Sequence, residues 1–158
     1  PTMVRAAEIL EDLKCPFVIN QNRYSIFDRT IEQNGLKKTA NQMGKGIIAF
    51  SPLAQGLLTD KYLHGIPSDS RIAVDGRFLH ADALTKEKLA QIEALNKMAG
   101  ERGQSLAQMA LSWILKDEDV TSVLIGASRP EQIIQNVENT KFTREELKKI
   151  DQISRGNL

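Results

Sequence analysis

Apolar residues follow two spacings along this chain, and the two spacings predict different elements. Residues 2–13 repeat apolar positions every three or four residues, which is the spacing of a helix with one buried face. Elsewhere the apolar residues are consecutive and the runs are short, which is typical of strands covered on both faces. Three such strands are predicted, at Phe17–Ile19, Ile47–Phe50 and Ser122–Ile125.

Helices are predicted after each of these runs, and several of their ends carry capping residues. A weaker, interrupted helix is predicted over residues 29–43. Thr85 is expected to cap a helix that runs to about Gly100. Capping-box pairs, in which Ser or Thr is followed three residues later by Gln or Glu, open two further helices at Ser105 and Thr143.

The alternation of strands and helices predicts a parallel sheet, because a strand–helix–strand unit returns the chain in the same direction. Three strands are few for this much helix. Two architectures therefore stay open, part of a doubly wound sheet or a section of an eight-stranded barrel. No composition shift or repeat divides the sequence, so residues 1–158 are predicted to belong to one domain.

Composition narrows the classes of function. The chain of 158 residues carries 21 basic and 20 acidic residues, a net charge of +1, which argues against a nucleic-acid-binding protein. No apolar run approaches a membrane span, and no signal-peptide pattern is present. Cys15 is the only cysteine, and we predict a small packed side chain in a protein of a reducing, cytoplasmic compartment. The sequence begins with Pro1, which is consistent with a processed or truncated piece.

Motifs for several kinds of chemistry are weak. Gly44–Ala49 satisfies the pattern G-x-G-x-x-A, but a strand follows it where the dinucleotide-binding motif needs a helix. Ser51 lacks the G-x-S-x-G pattern of a nucleophile elbow. His64 and His80 have no cysteine or carboxylate partners at metal-ligand spacing, so no metal site is predicted. Trp113 falls on an apolar helical stripe and is predicted to lie in the core.

The stretch Gly46–Gly56 points to a ligand site. Its apolar run ends at Phe50, and Pro52 pushes the residue before it out of the helical region. Ligands of parallel α/β proteins bind where strands end and loops begin. We therefore expect Phe50 and Ser51 to present an aromatic ring and a hydroxyl to a ligand.

A second candidate is the turn at Gly126–Pro130, where Pro130 suits the first turn of a helix. A glycine-containing turn into a helix N-terminus offers free backbone N–H groups to an anion, and Ser128 and Arg129 are suitable side chains. The same residues could equally form an ordinary helix cap beside a solvated arginine. The residue pattern leaves both interpretations open.

Taken in order, these segments resemble the aldo-keto reductase family. The matching stretches are VINQNRYSIFDR at Val18–Arg29, IAFSPLAQGLLTDKY at Ile48–Tyr62, and SLAQMALSWIL with SVLIGASRPEQIIQN between Ser105 and Asn136. The segment GLLTDKYLHGIPSDSR resembles the branch that contains bacterial L-glyceraldehyde 3-phosphate reductase and the potassium-channel β subunits. The resemblance implies an α/β fold, the C-terminal portion of a (β/α)8 TIM barrel with strands six to eight and their helices.

The resemblance also implies NADPH bound at the rim of the barrel. Gln21 matches the residue that hydrogen-bonds the nicotinamide carboxamide, and Phe50 matches the ring that stacks on nicotinamide. The residues expected to follow the pyrophosphate are Ser51, Leu53, Gln55 and Gly56, with Lys61 and Arg71 folding over it from a long loop. The adenosine end matches Gly126, Ser128, Arg129, Gln132, Gln135 and Asn136, with Arg129 a candidate partner for the 2′-phosphate.

By the same resemblance the complete protein reduces small aldehydes, but the catalytic Asp-Tyr-Lys-His tetrad precedes the strands present here. No catalytic residue is therefore predicted in this chain, and Tyr24 matches a position on the cofactor side. The chain alone should be inactive and should need an N-terminal half of the barrel, or self-association, to cover its strands. The alternative is a cofactor-binding regulatory subunit of the channel-associated type with little turnover.

Overall fold

The computed structural model describes residues 2–63, 65–66, 68, 84–138 and 140–156. Helices and strands alternate along these residues. The helices are α1 (Thr2–Asp12), α2 (Thr30–Gln33), α3 (Leu36–Gln42), α4 (Lys86–Glu101), α5 (Leu106–Ile114), α6 (Pro130–Asn136) and α7 (Arg144–Ser154). The strands are β1 (Ile19–Arg23), β2 (Gly46–Phe50) and β3 (Ser122–Val123), and two 3-10 turns, Ala54–Gly56 and Asp60–Tyr62, follow β2.

The three strands form one parallel sheet in the order β1-β2-β3, which confirms the predicted pairing direction. Five residue pairs join β1 to β2, from Ile19 opposite Gly46 to Arg23 opposite Phe50. Since the strands are parallel, their carboxyl ends lie together at one edge of the sheet.

The strand boundaries differ from the prediction most at β1 and β3, whereas β2 begins one residue earlier than predicted, at Gly46. β1 begins at Ile19 rather than Phe17, and it includes Asn20–Arg23, the polar residues expected to follow a strand. These residues pair with β2 through the main chain, and both faces of β1 are at least partly exposed, so the strand needs no apolar side chains. β3 ends at Val123 instead of Ile125.

The two faces of the sheet have different environments. Ile47 and Ala49 of β2 are fully buried in the core formed with the helices. Alternate residues of a strand point to the opposite face. On that face Ile19 is 41% exposed, and Leu124, just beyond β3, is 56% exposed. This second face, which we call the open face, has no apolar cover within the described part of the chain.

The helix ends follow the predicted capping pattern. Thr85 caps α4. Ser105 and Gln108 form a capping box at α5, and Thr143 and Glu146 form another at α7, with both reciprocal bonds present in each. Among the described residues, none of these helices combines the length and apolar character that a membrane crossing needs.

The interrupted helix predicted over residues 29–43 is two separate helices, α2 and α3. Gly35 lies between them with a φ of 77°, in the left-handed region that glycine adopts without steric cost. The glycine thus ends one helix and lets the chain begin the next in a new direction.

Trp113 lies in the core, as predicted, with no exposed surface. Its ring centroid is 5.3 Å from that of Tyr24, which is also fully buried. Cys15, by contrast, is exposed and not packed. It lies in the turn after α1, and α1 contributes no buried residue that could cover it.

Candidate functional site

A cleft of about 570 Å³ lies where β2 and β3 end. Phe50, the last residue of β2, and the loop that follows it form one side, and the segment after β3 forms the other. This is the edge of the sheet that the Gly46–Gly56 pattern predicted. The lining residues are Phe50, Ser51, Pro52, Leu53, Gln55, Gly56, Lys61, Tyr62, Leu124, Ile125 and Gly126.

The backbone of the loop after β2 is unusual. Ser51, Ala54 and Gln55 have φ values of 53°, 47° and 61°, in the left-handed region that side chains other than glycine rarely adopt. Gln55 Nε2 donates a hydrogen bond of 3.2 Å to Ser51 Oγ across this loop. Backbone strain of this kind concentrates at ligand-binding sites. The geometry therefore supports a binding role for this loop.

Phe50 has a charged neighbour on the adjacent strand. Arg23 lies opposite Phe50 in the β1–β2 register, and its guanidinium carbon is 5.8 Å from the centroid of the Phe50 ring. Arg23 was not among the predicted site residues. The alternation of Gln21 and Arg23 along one strand face is the signal that could have found it, once the polar residues are recognised as strand.

Lys61 reaches the cleft from the second 3-10 turn. Its backbone N–H donates a 3.2 Å hydrogen bond to Thr59 Oγ1, and the Thr59 hydroxyl donates one of 2.7 Å to the carbonyl oxygen of Gly56. These bonds tie the turn to the loop after β2. The neighbouring Tyr62 is buried and lines the same cleft. The cleft thus combines a cation with two aromatic rings, those of Phe50 and Tyr62.

The turn after β3 is closed by a side chain. Gln132 Oε1 accepts hydrogen bonds from the backbone N–H groups of Ser128, at 2.9 Å, and Arg129, at 3.3 Å. It also accepts one of 3.3 Å from the Ser128 hydroxyl. Two N–H groups that we predicted to be free for an anion are therefore already bonded. Of the two interpretations of this turn, the ordinary cap describes its main chain.

The residues predicted for the adenosine end divide into two groups. Gly126 lines the cleft. The others lie beyond it along the turn and α6, and the carbonyl oxygen of Gln135 accepts a 2.7 Å hydrogen bond from Gln108 Nε2 of α5. The second group comprises Ser128, Arg129, Gln132, Gln135 and Asn136.

Gln21 and Tyr24 lie in different surroundings. Gln21 is exposed on the open face of β1, in register with Ile48, and does not line the cleft. Tyr24 is fully buried, and its hydroxyl donates to Glu32 and accepts a 2.8 Å hydrogen bond from Lys116 Nζ. Burial is the largest cause that raises the pKa of Tyr24. Tyr24 is therefore a core residue, and its hydroxyl does not face the cleft.

Part of the predicted site falls outside the described residues. Arg71 lies there, as do His64 and His80. Most of the long loop expected to fold over a cofactor also lies there. Lys61 is the member of that predicted group whose position is described.

Parallel strands linked by helices, with a cleft at their carboxyl ends, define a ligand-binding α/β protein. More specifically, the chain belongs to the Aldo/keto reductase family, whose sequence profile matches residues 2–155. The resemblance drawn from the sequence is thereby confirmed. Members of this family generally use NAD(P)H.

The curated relatives agree with the predicted branch. The L-glyceraldehyde 3-phosphate reductase of Escherichia coli O157:H7 is 51% identical over 161 residues, covering 98% of this chain and 46% of that protein. A Schizosaccharomyces pombe protein described as a voltage-gated potassium channel subunit beta is 37% identical over 143 residues, covering 86% of this chain and 42% of that protein. The chain therefore spans about half the length of the curated relatives it matches.

Solved structures confirm the fold. The glycerol dehydrogenase of Gluconobacter oxydans superposes with a TM-score of 0.72 at 28% identity, over 93% of this chain and 45% of that one. A thermostable aldo-keto reductase crystallised with epalrestat gives a TM-score of 0.65 at 24% identity, which concerns the fold alone. The chain has the fold of the C-terminal portion of a (β/α)8 barrel, with β1, β2 and β3 as strands six to eight.

Proposed function

We propose that this chain provides the cofactor side of an NADPH-dependent oxidoreductase that reduces small aldehydes. The observation that carries the proposal is the cleft at the carboxyl ends of the strands, which is lined by Phe50, Lys61 and Gly126 among others. Family membership and the 51% identity to a protein named L-glyceraldehyde 3-phosphate reductase support it.

The cleft residues suit a nicotinamide dinucleotide. Phe50 offers a flat aromatic surface against which the nicotinamide ring can stack. Lys61 offers a positive charge to the pyrophosphate. At Gly126 no heavy atom lies within 4 Å of the position that a Cβ would occupy, so the main chain there borders open space. We therefore assign Phe50 to the nicotinamide ring, Lys61 to the pyrophosphate and the main chain at Gly126 to the adenosine.

Further residues have proposed roles along the length of the cofactor. Gln21 hydrogen-bonds the carboxamide of nicotinamide from β1. Because Gln132 occupies the N–H groups of Ser128 and Arg129, we assign recognition of the 2′-phosphate to the Arg129 side chain. The loop residues along the pyrophosphate are Ser51, Leu53, Gln55 and Gly56, with Lys61 and Arg71. The adenosine residues are Gly126, Ser128, Gln132, Gln135 and Asn136.

When bound, the cofactor supplies the hydride that reduces the aldehyde carbon. Phe50 and Gln21 fix which face of the ring meets the substrate, and Lys61 balances phosphate charge. The carbonyl oxygen also needs a proton. Tyr24 is a poor source, since its buried hydroxyl is bonded to Glu32 and Lys116 and its pKa is raised. We assign the proton donor to the tetrad on preceding strands.

Those preceding strands are also the proposed partner of this chain. Ile19 and Leu124 are exposed on the open face, and closing a barrel covers such a face and removes both sheet edges. We propose that strands one to five, the N-terminal half of the barrel, close over it. We call this chain joined to those strands the complete barrel.

Cofactor titration of the complete barrel tests the proposal. NADPH fluorescence should report binding. Phe50→Ala should lower the affinity for NADPH by roughly threefold to tenfold, the usual contribution of an aromatic stacking contact. Phe17→Ala is the matched control, because Phe17 lines a separate groove with Cys15 and Lys45. It should bind NADPH within about twofold of the wild type. Equal affinities of wild type and Phe50→Ala would contradict the proposed stack.

The second candidate is a regulatory subunit whose bound cofactor reports redox state. The 37% identity to the fission-yeast protein named as a channel subunit favours it, although the identity to the reductase is higher. Rapid oxidation of NADPH by an aldehyde supports the enzyme. Negligible turnover together with a stable complex with a membrane channel supports the regulator.

A further inference from the structure

We propose that Arg23 binds the anionic group of the substrate, a phosphate or a carboxylate carried by the aldehyde. This inference rests on the proposed function, because it names the substrate class of the same site. Arg23 is the last residue of β1 and lies opposite Phe50 in the register. Its guanidinium carbon is 5.8 Å from the Phe50 ring centroid, so it borders the surface proposed to stack on nicotinamide.

Strand alternation puts Arg23 on the open face of the sheet. Gln21 and Arg23 are both exposed and lie on the same face of β1, opposite Ile48 and Phe50. Ile47 occupies the other face of β2 and is fully buried among the helices. In a closed barrel the open face points inward, and its carboxyl end is where barrel enzymes bind the reacting molecule.

The Arg23 guanidinium differs from those of two other arginines in the described part of the fold, which form ion pairs. Arg29 pairs with Glu32 at 2.6 Å and also with Asp151, and Arg102 pairs with Glu146. Among the described residues Arg23 has no ion pair, and its recorded contact is with the Phe50 ring. A guanidinium offers five N–H donors in a planar fork that matches a phosphate or a carboxylate.

The strand order separates Arg23 from the proposed pyrophosphate site. The cleft is lined by residues that follow β2 and β3, including Lys61 and Gly126. β1 lies on the other side of β2, so Phe50 stands between Arg23 and the segment after β3. The anion at Arg23 is therefore not the pyrophosphate, and the second molecule in the site is the substrate.

Three aldehydes tested on the complete barrel separate these roles. Glyceraldehyde 3-phosphate carries a phosphate, succinic semialdehyde carries a carboxylate, and glyceraldehyde carries neither. Arg23→Gln should raise KM for at least one anionic aldehyde by roughly 10- to 100-fold, the usual effect of losing hydrogen bonds to a charged group. KM for glyceraldehyde should stay within about twofold of the wild type. The more strongly affected anionic aldehyde identifies whether phosphate or carboxylate is the natural group.

Two further variants sharpen the comparison. Arg23→Lys should recover part of the lost affinity, because it keeps the charge but not the planar fork. Arg144→Gln removes an arginine from the exposed start of α7, and it should leave KM for all three aldehydes unchanged. Any general effect of lost positive charge would appear in this control as well.

A binding measurement without turnover completes the test. Calorimetry should use the non-reducible analogue of the more strongly affected aldehyde, glycerol 3-phosphate for the phosphate or 4-hydroxybutyrate for the carboxylate. That analogue should bind the wild-type barrel loaded with NADPH more tightly than it binds Arg23→Gln. Equal KM changes for all three aldehydes together with weaker NADPH binding would mean that Arg23 only holds the Phe50 ring, and would overturn the inference. The inference would also be overturned if Arg23→Gln changed neither the KM of any of the three aldehydes nor the affinity for the non-reducible anion. If the wild type binds no NADPH, the proposed function fails, and glycerol 3-phosphate and 4-hydroxybutyrate titrated without cofactor still decide for or against Arg23.

Discussion

Lys116 Nζ donates a hydrogen bond of 2.8 Å to the hydroxyl oxygen of Tyr24, although the two residues are 92 positions apart. Tyr24 donates in turn to Glu32, and Lys116 Nζ lies 3.7 Å from the centroid of the Trp113 ring. Burial is the largest cause that lowers the pKa of Lys116, to about 8. This buried polar group connects the end of β1, helix α2 and the segment after α5.

The lowered pKa of Lys116 predicts that stability rises between about pH 8 and pH 10. An unfolded chain keeps the lysine proton up to its ordinary pKa of 10.5, whereas the folded state releases it from about pH 8. Where the unfolded state binds more protons, the free energy of unfolding rises with pH. Above pH 10 the raised pKa of Tyr24 reverses the trend, because the unfolded state alone then loses the tyrosine proton.

Urea unfolding of the complete barrel at several pH values measures this effect. The wild type should gain up to about 2 kcal/mol relative to Lys116→Met between pH 8 and pH 10. The control Lys97→Met removes an exposed lysine of α4 and should keep the wild-type profile. Parallel profiles for wild type and Lys116→Met would show that Lys116 titrates at its ordinary value.

Trp113 should be the most costly single truncation in the described core. It has the largest fully buried side chain, so Trp113→Ala should lower the free energy of unfolding by about 3–5 kcal/mol. Its Nε1 has no hydrogen-bond partner among the described residues. Trp113→Phe removes that unpaired donor while keeping a ring beside Tyr24, and should cost less than half as much. If urea unfolding shows that Trp113→Ala and Trp113→Phe lower the free energy of unfolding equally, the indole ring itself is required.

Local chemistry made much of the fold predictable from the sequence. Ser105 and Gln108, or Thr143 and Glu146, are three residues apart, and their capping bonds need no distant partner. The polar strand β1 could not be predicted in this way. It exists because it pairs with β2, whose residues are 27 positions away at the first pair, Ile19 with Gly46.

The candidate site was predictable only in part. Phe50 was predictable because a strand end and a following proline mark it within three residues. Closure of the turn after β3 by Gln132 was not, since a glutamine four residues from Ser128 has many other possible partners. The position of Tyr24 depends on Lys116 and Glu32, which come from two other segments of the fold. A single sequence thus leaves undetermined the contacts between distant segments and also the choice among several possible local partners of a side chain such as Gln132.

Arg129 should set the preference for NADPH over NADH. Its side chain is exposed at the start of α6, and its backbone N–H is already bonded to Gln132. Arg129→Ala should weaken NADPH binding to the complete barrel by about 1–3 kcal/mol, the range for a lost hydrogen bond to a charged group, and barely change NADH binding. Arg155→Ala, at an exposed site after α7, is the matched control. Equal losses for both cofactors would show that Arg129 does not recognise the 2′-phosphate.

Large apolar side chains are exposed on several surfaces of this chain. Ile19 and Leu124 lie on the open face, and α6 adds Ile134, which is 70% exposed, with Val137 just beyond it at the same value. Exposed apolar residues that share a sheet face, as Ile19 and Leu124 do, mark an interface when they form a patch. Both edges of the three-stranded sheet also lack a partner strand among the described residues, and such edges pair readily with another chain.

The 158-residue chain alone should therefore self-associate, and it should not oxidise NADPH in the presence of an aldehyde. Association covers the open face, whereas turnover needs the proton donor that we assign to the preceding strands. Sedimentation equilibrium should show oligomers that Ile19→Glu weakens, because the variant puts a charge on the open face, while Gln152→Glu on the exposed side of α7 leaves them intact. A stable wild-type monomer would contradict the first expectation. Aldehyde-dependent loss of NADPH absorbance would contradict the second, and would mean that the catalytic residues lie within this chain.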